Sequence, residues 1–239
     1  MLPPRFGLAT LAFLLCVAPA AAPAGAQQPA RLDGIYYGLR TNLATGSVDQ
    51  AYLTFLPDGR VASDDPSEGL AGPVDFEDMC RYGQCGSYEA RGAEVRIRWR
   101  HGGEEVYDRG AAGELRRRGR SQSYRPVAPL DGMRLDGEFA IVDPGTGRAV
   151  VGIRFGRDGE FLENNLMAFT SWAMLARGGE RRVAVPLGYG RYSIRRNTLE
   201  LRYENGPVAR FVILIPPGEP QTPAARTIHV NRAVLPRVR

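Results

Sequence analysis

The sequence predicts an all-β protein made of two homologous antiparallel β units in tandem, with short helical insertions. Segments with an apolar residue at every second position recur along the chain, and Asp-Gly pairs separate several of them. Four sequence elements also occur twice in the same order, which indicates a duplication.

The first 26 residues have the layout of a secretory signal peptide. One positive charge, Arg5, precedes an apolar run from Phe6 to Val17, and small residues lead to Ala24-Gly25-Ala26. This apolar run is shorter than the roughly 20 residues that span a bilayer. We therefore expect residues 1–26 to be cleaved, and the mature protein to be exported to the periplasm or the extracellular space without spanning a membrane.

The repeated elements are 100 to 104 residues apart. They pair Leu32 to Tyr36 with Leu135 to Phe139, Phe55 to Val61 with Phe155 to Phe161, Gly86 to Tyr88 with Gly190 to Tyr192, and Val95 to Trp99 with Leu199 to Tyr203. They predict two domains, residues 27–130 and 131–239. The alternation in Val95 to Trp99 and in Leu199 to Tyr203 predicts strands with one buried face.

Asp58-Gly59 and Asp158-Gly159 predict the same hairpin in each copy. Each pair has apolar residues on both sides, and Asp-Gly tolerates the positive φ of a tight type I′ turn. The turn also explains these two aspartates better than a catalytic carboxylate pair does, because hairpin tips are rarely desolvated.

Two insertions predict short helices. Asp75 to Gly83 starts with a residue that favours the N-cap and ends with glycine. Asn165 to Gly178 carries apolar residues at helical spacing. Both insertions are candidates for covering the open end of a sheet.

The later strands are less regular. Phe211 to Ile215 is a continuous apolar run, which predicts a strand that is buried on both faces and is a candidate for lying between the copies. The last strand of each copy is expected around Gln122 to Val127 and around Thr227 to Leu235.

Cys80 and Cys85 remain after the signal peptide. An even pair of cysteines at short spacing in an exported protein predicts a disulfide. A redox role is the weaker alternative, because the spacing is C-x4-C and not C-x-x-C.

The order of these motifs resembles the lipocalin-like domains of bacterial secreted proteins. In this chain the motifs are Gly34/Tyr36, Phe55 to Val61, Gly86/Tyr88 and Val95 to Trp99, repeated as Gly137/Phe139, Phe155 to Phe161, Gly190/Tyr192 and Leu199 to Tyr203. The resemblance implies that each unit is an antiparallel β-barrel. Relatives often carry Trp in the first strand, where this chain has Tyr36 and Phe139.

The amino-acid composition excludes several classes of catalytic and cofactor-binding site. All 31 basic residues other than histidine are arginines, which excludes Schiff-base and P-loop lysines. The two histidines, His101 and His229, form no metal-binding motif, and no G-x-S-x-G motif is present. We therefore expect no metal, no cofactor and no catalytic residue.

Seven aromatic residues are expected to point inward, and they would line the site if either barrel holds a small apolar ligand. They are Tyr36, Phe55, Trp99, Phe139, Phe155, Trp172 and Tyr203. Ordinary core packing is the alternative, because units of this size need most of their aromatic residues to bury enough surface.

The chain is basic, with a formal net charge of +5. The run from Arg116 to Arg120 and the acid-free tail from Gln221 to Arg239 could contact an anionic surface or an acidic partner. A solvated strand edge explains the run more simply. No aromatic residues are interleaved with it, so nucleic-acid binding is not expected.

These observations favour a non-enzymatic binding module of the cell envelope or periplasm. One alternative is a structural or protein-interaction module with filled cores, which would contact an envelope protein. The other is a hydrolase-type enzyme that uses carboxylates and arginines at the junction of the two units. An enclosed cavity of a few hundred Å3 would favour ligand binding.

Overall fold

The structure is a computed structural model that describes residues 31–41, 46–164, 166, 188–204 and 206–239. It contains two antiparallel β-sheets of eight strands each and one short helix. The predicted all-β fold with two barrel-like units is therefore confirmed. The expected signal peptide, Trp172 and the helix expected at Asn165 to Gly178, apart from Leu166, lie outside the described residues.

The first sheet is a closed barrel in which each strand pairs with the next one along the chain. Its strands are β1 (Gly34–Thr41), β2 (Val48–Phe55), β3 (Arg60–Ala62), β4 (Cys85–Arg91), β5 (Glu94–Trp99), β6 (Glu104–Arg109), β7 (Leu115–Arg117) and β8 (Ser123–Pro126). The barrel closes because β8 pairs with β1, with Tyr124 opposite Gly38 and Pro126 opposite Tyr36. This closure leaves the sheet without a free edge.

The second sheet repeats the same up-and-down order and is nearly closed. Its strands are β9 (Gly137–Val142), β10 (Ala149–Phe155), β11 (Glu160–Asn164), β12 (Gly188–Arg195), β13 (Thr198–Tyr203), β14 (Val208–Leu214), β15 (Thr227–Val230) and β16 (Ala233–Pro236). The bridge between Phe139 and Arg237 joins the first strand to the last. The Val238 N–H also donates to the Glu138 carbonyl oxygen at 2.8 Å.

The Asp-Gly pairs form matching hairpin loops, but not the type I′ turns that we predicted. The loop before β3 has four residues, Leu56 to Gly59. The Gly59 N–H donates to the Leu56 carbonyl oxygen at 3.1 Å, and the Leu56 N–H donates to the Arg60 carbonyl oxygen at 2.9 Å. Gly59 carries the positive φ, 91°. The Gly59–Leu56 bond places Pro57 and Asp58 at the centre of the turn, so Asp58 and Gly59 do not occupy the two central positions that a type I′ turn requires.

The second copy forms the same loop. The Gly159 N–H donates to the Gly156 carbonyl oxygen at 3.0 Å, and the φ of Gly159 is 86°. Asp158 Oδ1 accepts from the Glu160 N–H at 3.0 Å, as Asp58 Oδ1 accepts from Arg60 at 3.2 Å in the first copy. Both aspartates therefore stabilise their hairpin loops, as predicted.

The G-x-Y motifs close one end of each barrel. Tyr88 Oη donates to the Leu32 carbonyl oxygen at 2.6 Å, and Tyr192 Oη donates to that of Leu135 at 2.9 Å. The preceding glycine is needed for space, because a Cβ on Gly86 would lie 2.1 Å from the Arg98 carbonyl oxygen. The repeated G-x-Y motifs thus close the same end of both barrels.

The short helix is confirmed as α1 (Phe76–Tyr82). Asp75 caps it by accepting from the Asp78 N–H at 3.0 Å, and the Gly83 N–H donates to the Met79 carbonyl oxygen at 3.0 Å. Phe76 and Met79 are buried against outward-facing residues of the barrel wall. The helix therefore packs on the outside of the wall and does not fill the open end.

The predicted disulfide between Cys80 and Cys85 is present, with an S–S distance of 2.12 Å. It ties the last turn of α1 to the first residue of β4.

The apolar run from Phe211 to Ile215 is buried on both faces, as predicted. Phe211 and Ile213 belong to the core of the second barrel, whereas Val212 and Leu214 pack among residues of the first. This run therefore lies at the contact between the two barrels.

The single strand expected around Thr227 to Leu235 is wrong, because the segment forms the hairpin of β15 and β16. Its two-residue turn consists of Asn231 and Arg232, which both have positive φ, at 44° and 68°. Asparagine tolerates this conformation, but the dipeptide Asn-Arg predicts a tight turn less strongly than Asn-Gly does.

Among the described residues, no helix has both the length and the apolar character that a membrane span requires.

Candidate functional site

Most of the aromatic residues expected to line a ligand site fill the barrel cores. Tyr36 and Phe55 are at most 5% exposed, and their rings meet edge to face at 5.1 Å. In the second barrel, Phe139 and Phe155 are at most 1% exposed. Tyr203 is partly buried against the same core, and Trp172 lies outside the described residues. Trp99 differs, because its side chain lines a cavity.

This cavity, which we call the cup, lies at the open end of the first barrel, opposite the end closed by Tyr88. It has a volume of about 590 Å3. It is lined by Arg40, Gln50, Ala51, Tyr52, Leu53, Ser63, Asp64, Cys80, Arg81, Gly83, Gln84, Trp99, His101, Glu105, Tyr107, Arg117, Gln122, Tyr124 and Arg232. Arg232 belongs to the second unit, so the rim of the cup includes both barrels.

The cup has an aromatic and apolar floor. Leu53, Trp99, Tyr107 and Tyr124 belong to the buried core of the first barrel and also line the cup. The ring centres of Tyr107 and Tyr124 are 6.0 Å apart, and the ring planes are inclined at 65°. Each lies at an inward position of its strand, so period two directs all four toward the barrel interior.

The wall above this floor is polar. Arg117 Nη2 lies 2.6 Å from Glu105 Oε1, and Tyr107 Oη donates to Glu105 Oε2 at 2.6 Å. The Gln122 amide donates to Tyr124 Oη at 2.7 Å. These contacts hold the polar side chains in place at the mouth of the barrel.

Three hydrogen-bond donors at the cup have no acceptor among the described residues. Trp99 is 8% exposed, and its Nε1 is buried without a partner. Arg40 forms no ion pair within the described part of the chain, and the hydroxyl proton of Tyr124 has no acceptor there. Burial, followed by the charge of Glu105, raises the pKa of Tyr124 to about 12, so the hydroxyl remains protonated at neutral pH.

The rim toward the second barrel carries a buried ion-pair network. Arg232 forms salt bridges with Asp64 and Asp65, and its guanidinium lies 5.1 Å from the centre of the Tyr52 ring. Burial lowers the pKa of Arg232 to about 10, which still leaves it charged at neutral pH. Of the four arginines that line the cup, Arg81, Arg117 and Arg232 pair with carboxylates, whereas Arg40 has no ion pair among the described residues.

The basic run from Arg116 to Arg120 does not form the strand edge that we expected. β7 pairs with both β6 and β8 within the closed barrel. Arg117 faces the cup and pairs with Glu105, whereas Arg118 pairs with Asp108 at 2.6 Å on the outer wall. Strand alternation therefore divides the run between two surfaces.

The described residues contain no group of three or more His, Cys, Asp or Glu side chains that could hold a metal ion. The two histidines occupy different environments. His101 lines the cup, whereas His229 is buried where the barrels meet, with its Nδ1 3.4 Å from Tyr52 Oη.

The polar lining of the cup is not among the residues that the sequence predicts for binding. Arg40, Glu105 and Gln122 look like ordinary surface residues in the sequence, and Arg117 stands out only as part of the basic run from Arg116 to Arg120. A signal was nevertheless present in β6, where Glu105 alternates in step with Tyr107 and therefore shares its inward face. Which strand face points inward depends on barrel closure, so this signal could not be interpreted alone.

The comparisons with known proteins leave the fold and the cup as the basis for any functional conclusion. No protein-family model, curated protein or solved structure matches the chain.

Proposed function

We propose that this protein is an exported, non-enzymatic binding protein that holds a small polar molecule in the cup of its first barrel. The observation that carries the proposal is the buried indole N–H of Trp99, a residue that lines a cavity of about 590 Å3 and whose N–H has no acceptor in the described part of the chain. A buried donor without a partner costs about 1–3 kcal/mol, which a bound acceptor would recover.

The size and lining of the cup fit this role. Binding sites for small molecules are concave, with volumes of about 300–1,000 Å3, and combine apolar surface with a few placed polar groups. The cup offers the aromatic floor and the polar wall described above. Its polar lining favours a polar ligand over the apolar ligand that the sequence suggested.

The order of the strands supports the lipocalin-like resemblance. Eight antiparallel strands in up-and-down order also form the barrels of lipocalins. In the second barrel, a large apolar cluster that includes Phe139, Phe155 and Phe161 packs the interior. We infer that the second barrel supports the rim of the cup through Arg232.

Export belongs to the same proposal. The signal-peptide pattern in residues 1–26 and the Cys80–Cys85 disulfide both fit an oxidising compartment.

An enzyme that uses carboxylates and arginines is the second candidate, because the cup brings both together. Glu105 is paired with Arg117, and Asp64 is paired with Arg232. Carboxylates engaged in this way are poorly placed to exchange protons with a substrate. We therefore favour binding over catalysis.

Native mass spectrometry of the protein purified from the periplasm or culture medium tests the proposal. We expect a stoichiometric small molecule that is released on denaturation. The Ala51→Trp variant should lack it, because Ala51 lines the cup and a larger side chain would fill the space. Ser87→Trp places the same side chain at an exposed position of β4 and should keep the ligand.

Bare protein in every wild-type preparation, together with unchanged behaviour of Ala51→Trp, would contradict the binding function. Conversion of the extracted molecule by the purified protein would favour the enzyme instead.

A further inference from the structure

We propose that the ligand of the cup carries an oxyanion, such as a carboxylate or phosphate group, on a flat apolar body. This inference rests on the proposed binding function and names the chemical class of the ligand. It follows from the balance of donors and acceptors in the cup, its charge and the shape of its floor.

The donors of the cup are left open. Trp99, Tyr124 and Arg40 all line it, and the indole N–H, the hydroxyl proton and the guanidinium of these residues have no acceptor among the described residues. An oxyanion accepts several hydrogen bonds at once, and hydrogen bonds to charged groups are shorter and stronger than neutral ones. It is therefore the group that satisfies this set most completely.

The two carboxylates that line the cup are already engaged. Glu105 accepts from Tyr107 and pairs with Arg117, while Asp64 pairs with Arg232. A cationic ligand would have to displace one of these internal partners. Arg40 is the lining arginine that has no ion pair among the described residues, and its positive charge favours an anion.

The floor of the cup determines the rest of the ligand. Leu53, Trp99, Tyr107 and Tyr124 present aromatic and apolar surface below the polar wall. Aromatic side chains pack well against a flat ring. The volume of about 590 Å3 limits the ligand to a small molecule.

Calorimetric titration of the full-length mature protein with matched probes tests the inference. Benzoate and phenyl phosphate carry the oxyanion, benzamide is the neutral counterpart of benzoate, and benzylamine is a cation. We expect at least one oxyanion to bind about ten-fold or more tightly than benzamide and benzylamine. The ratio between benzoate and phenyl phosphate distinguishes a carboxylate ligand from a phosphate ligand.

Arg40→Gln tests the charge directly. It should weaken binding of the preferred oxyanion about ten-fold and leave benzamide unchanged, because only the anion uses the positive charge. The matched control is Arg91→Gln, since Arg91 pairs with Glu89 on the outer wall and does not line the cup. Its affinities should equal those of the wild type. Added salt should weaken oxyanion binding selectively.

The outcomes separate the two proposals. A neutral or cationic molecule extracted from the protein, or equal affinity for benzoate and benzamide, would overturn the oxyanion class while leaving the binding function intact. Bare protein and no binding of any probe would overturn both. An extracted carboxylate or phosphate whose affinity falls in Arg40→Gln would support both.

Discussion

At the scale of single residues, two tyrosine hydroxyls hold the closed ends of the barrels. Tyr88 Oη donates to the Leu32 carbonyl oxygen and accepts from the Leu32 N–H at 2.9 Å. Tyr192 Oη donates to the Leu135 carbonyl oxygen in the second barrel. Each hydroxyl therefore anchors the chain where it enters its barrel.

Tyr88→Phe should lower the free energy of unfolding by about 1–3 kcal/mol, because it leaves buried backbone groups of Leu32 without partners. Urea denaturation followed by circular dichroism measures this change. Tyr189→Phe is the control, since Tyr189 is 55% exposed, and it should stay within about 0.5 kcal/mol of the wild type. Equal effects of the two substitutions would contradict the anchoring role.

At the scale of elements, the disulfide holds α1 against the barrel near the rim of the cup. Cys80 lies in the last turn of the helix and also lines the cup. Arg60 and Arg100 cover the Phe76 ring of the same helix, at 4.6 and 5.3 Å from its centre. The helix is thus fixed at both ends, and we expect the rim beside it to be ordered.

Replacing both Cys80 and Cys85 by alanine should lower the free energy of unfolding by about 2 kcal/mol, because the disulfide closes a loop with a sequence separation of 5. The same denaturation experiment measures the loss. A thiol reductant should destabilise the wild type by a similar amount and should leave the double variant unaffected. A reductant effect on the double variant would show that the loss has another source.

At the scale of the whole molecule, the two barrels share a mixed interface. Its apolar part belongs to a cluster that includes Ile35 of the first barrel and Leu214 of the second, and its polar contacts include the bond from the Ala71 N–H to Thr198 Oγ1 at 2.8 Å. His229 of β15 is 4% exposed in this interface and packs against the Tyr37 and Tyr52 side chains of the first barrel.

Burial lowers the pKa of His229 from 6.5 to about 4, so the interface holds the neutral ring. The unfolded chain takes up this proton near pH 6.5, and stability therefore falls as the pH drops from about 6.5 toward 4. Between pH 7 and pH 5 we expect this histidine to account for a loss of about 2 kcal/mol.

His229→Gln should lose about 2 kcal/mol less than the wild type over this pH interval in denaturant titrations. The control is His101→Gln, which changes an exposed residue and should keep the wild-type pH dependence. If the free energy of unfolding of the wild type and of His229→Gln changes equally with pH, protonation of His229 does not destabilise the protein.

Local patterns were enough to predict several elements. Alternation in Val95 to Trp99 predicted β5, Asp75 and Gly83 predicted both ends of α1, and the continuous apolar run predicted a strand buried on two faces. The type I′ turn at Asp58-Gly59 failed because the loop length, and not the dipeptide alone, decides the turn type.

The sequence by itself determined the duplication, the regularly alternating strands such as β5 and β13, the short helix and the disulfide, because each depends on neighbours along the chain. Only the tertiary structure decided that Arg40, Trp99, Glu105 and Tyr124 meet in one cup. Their meeting requires β8 to pair with β1, and Arg232 reaches the rim only because the second barrel packs there. Such contacts join residues distant in sequence, so no local period encodes them.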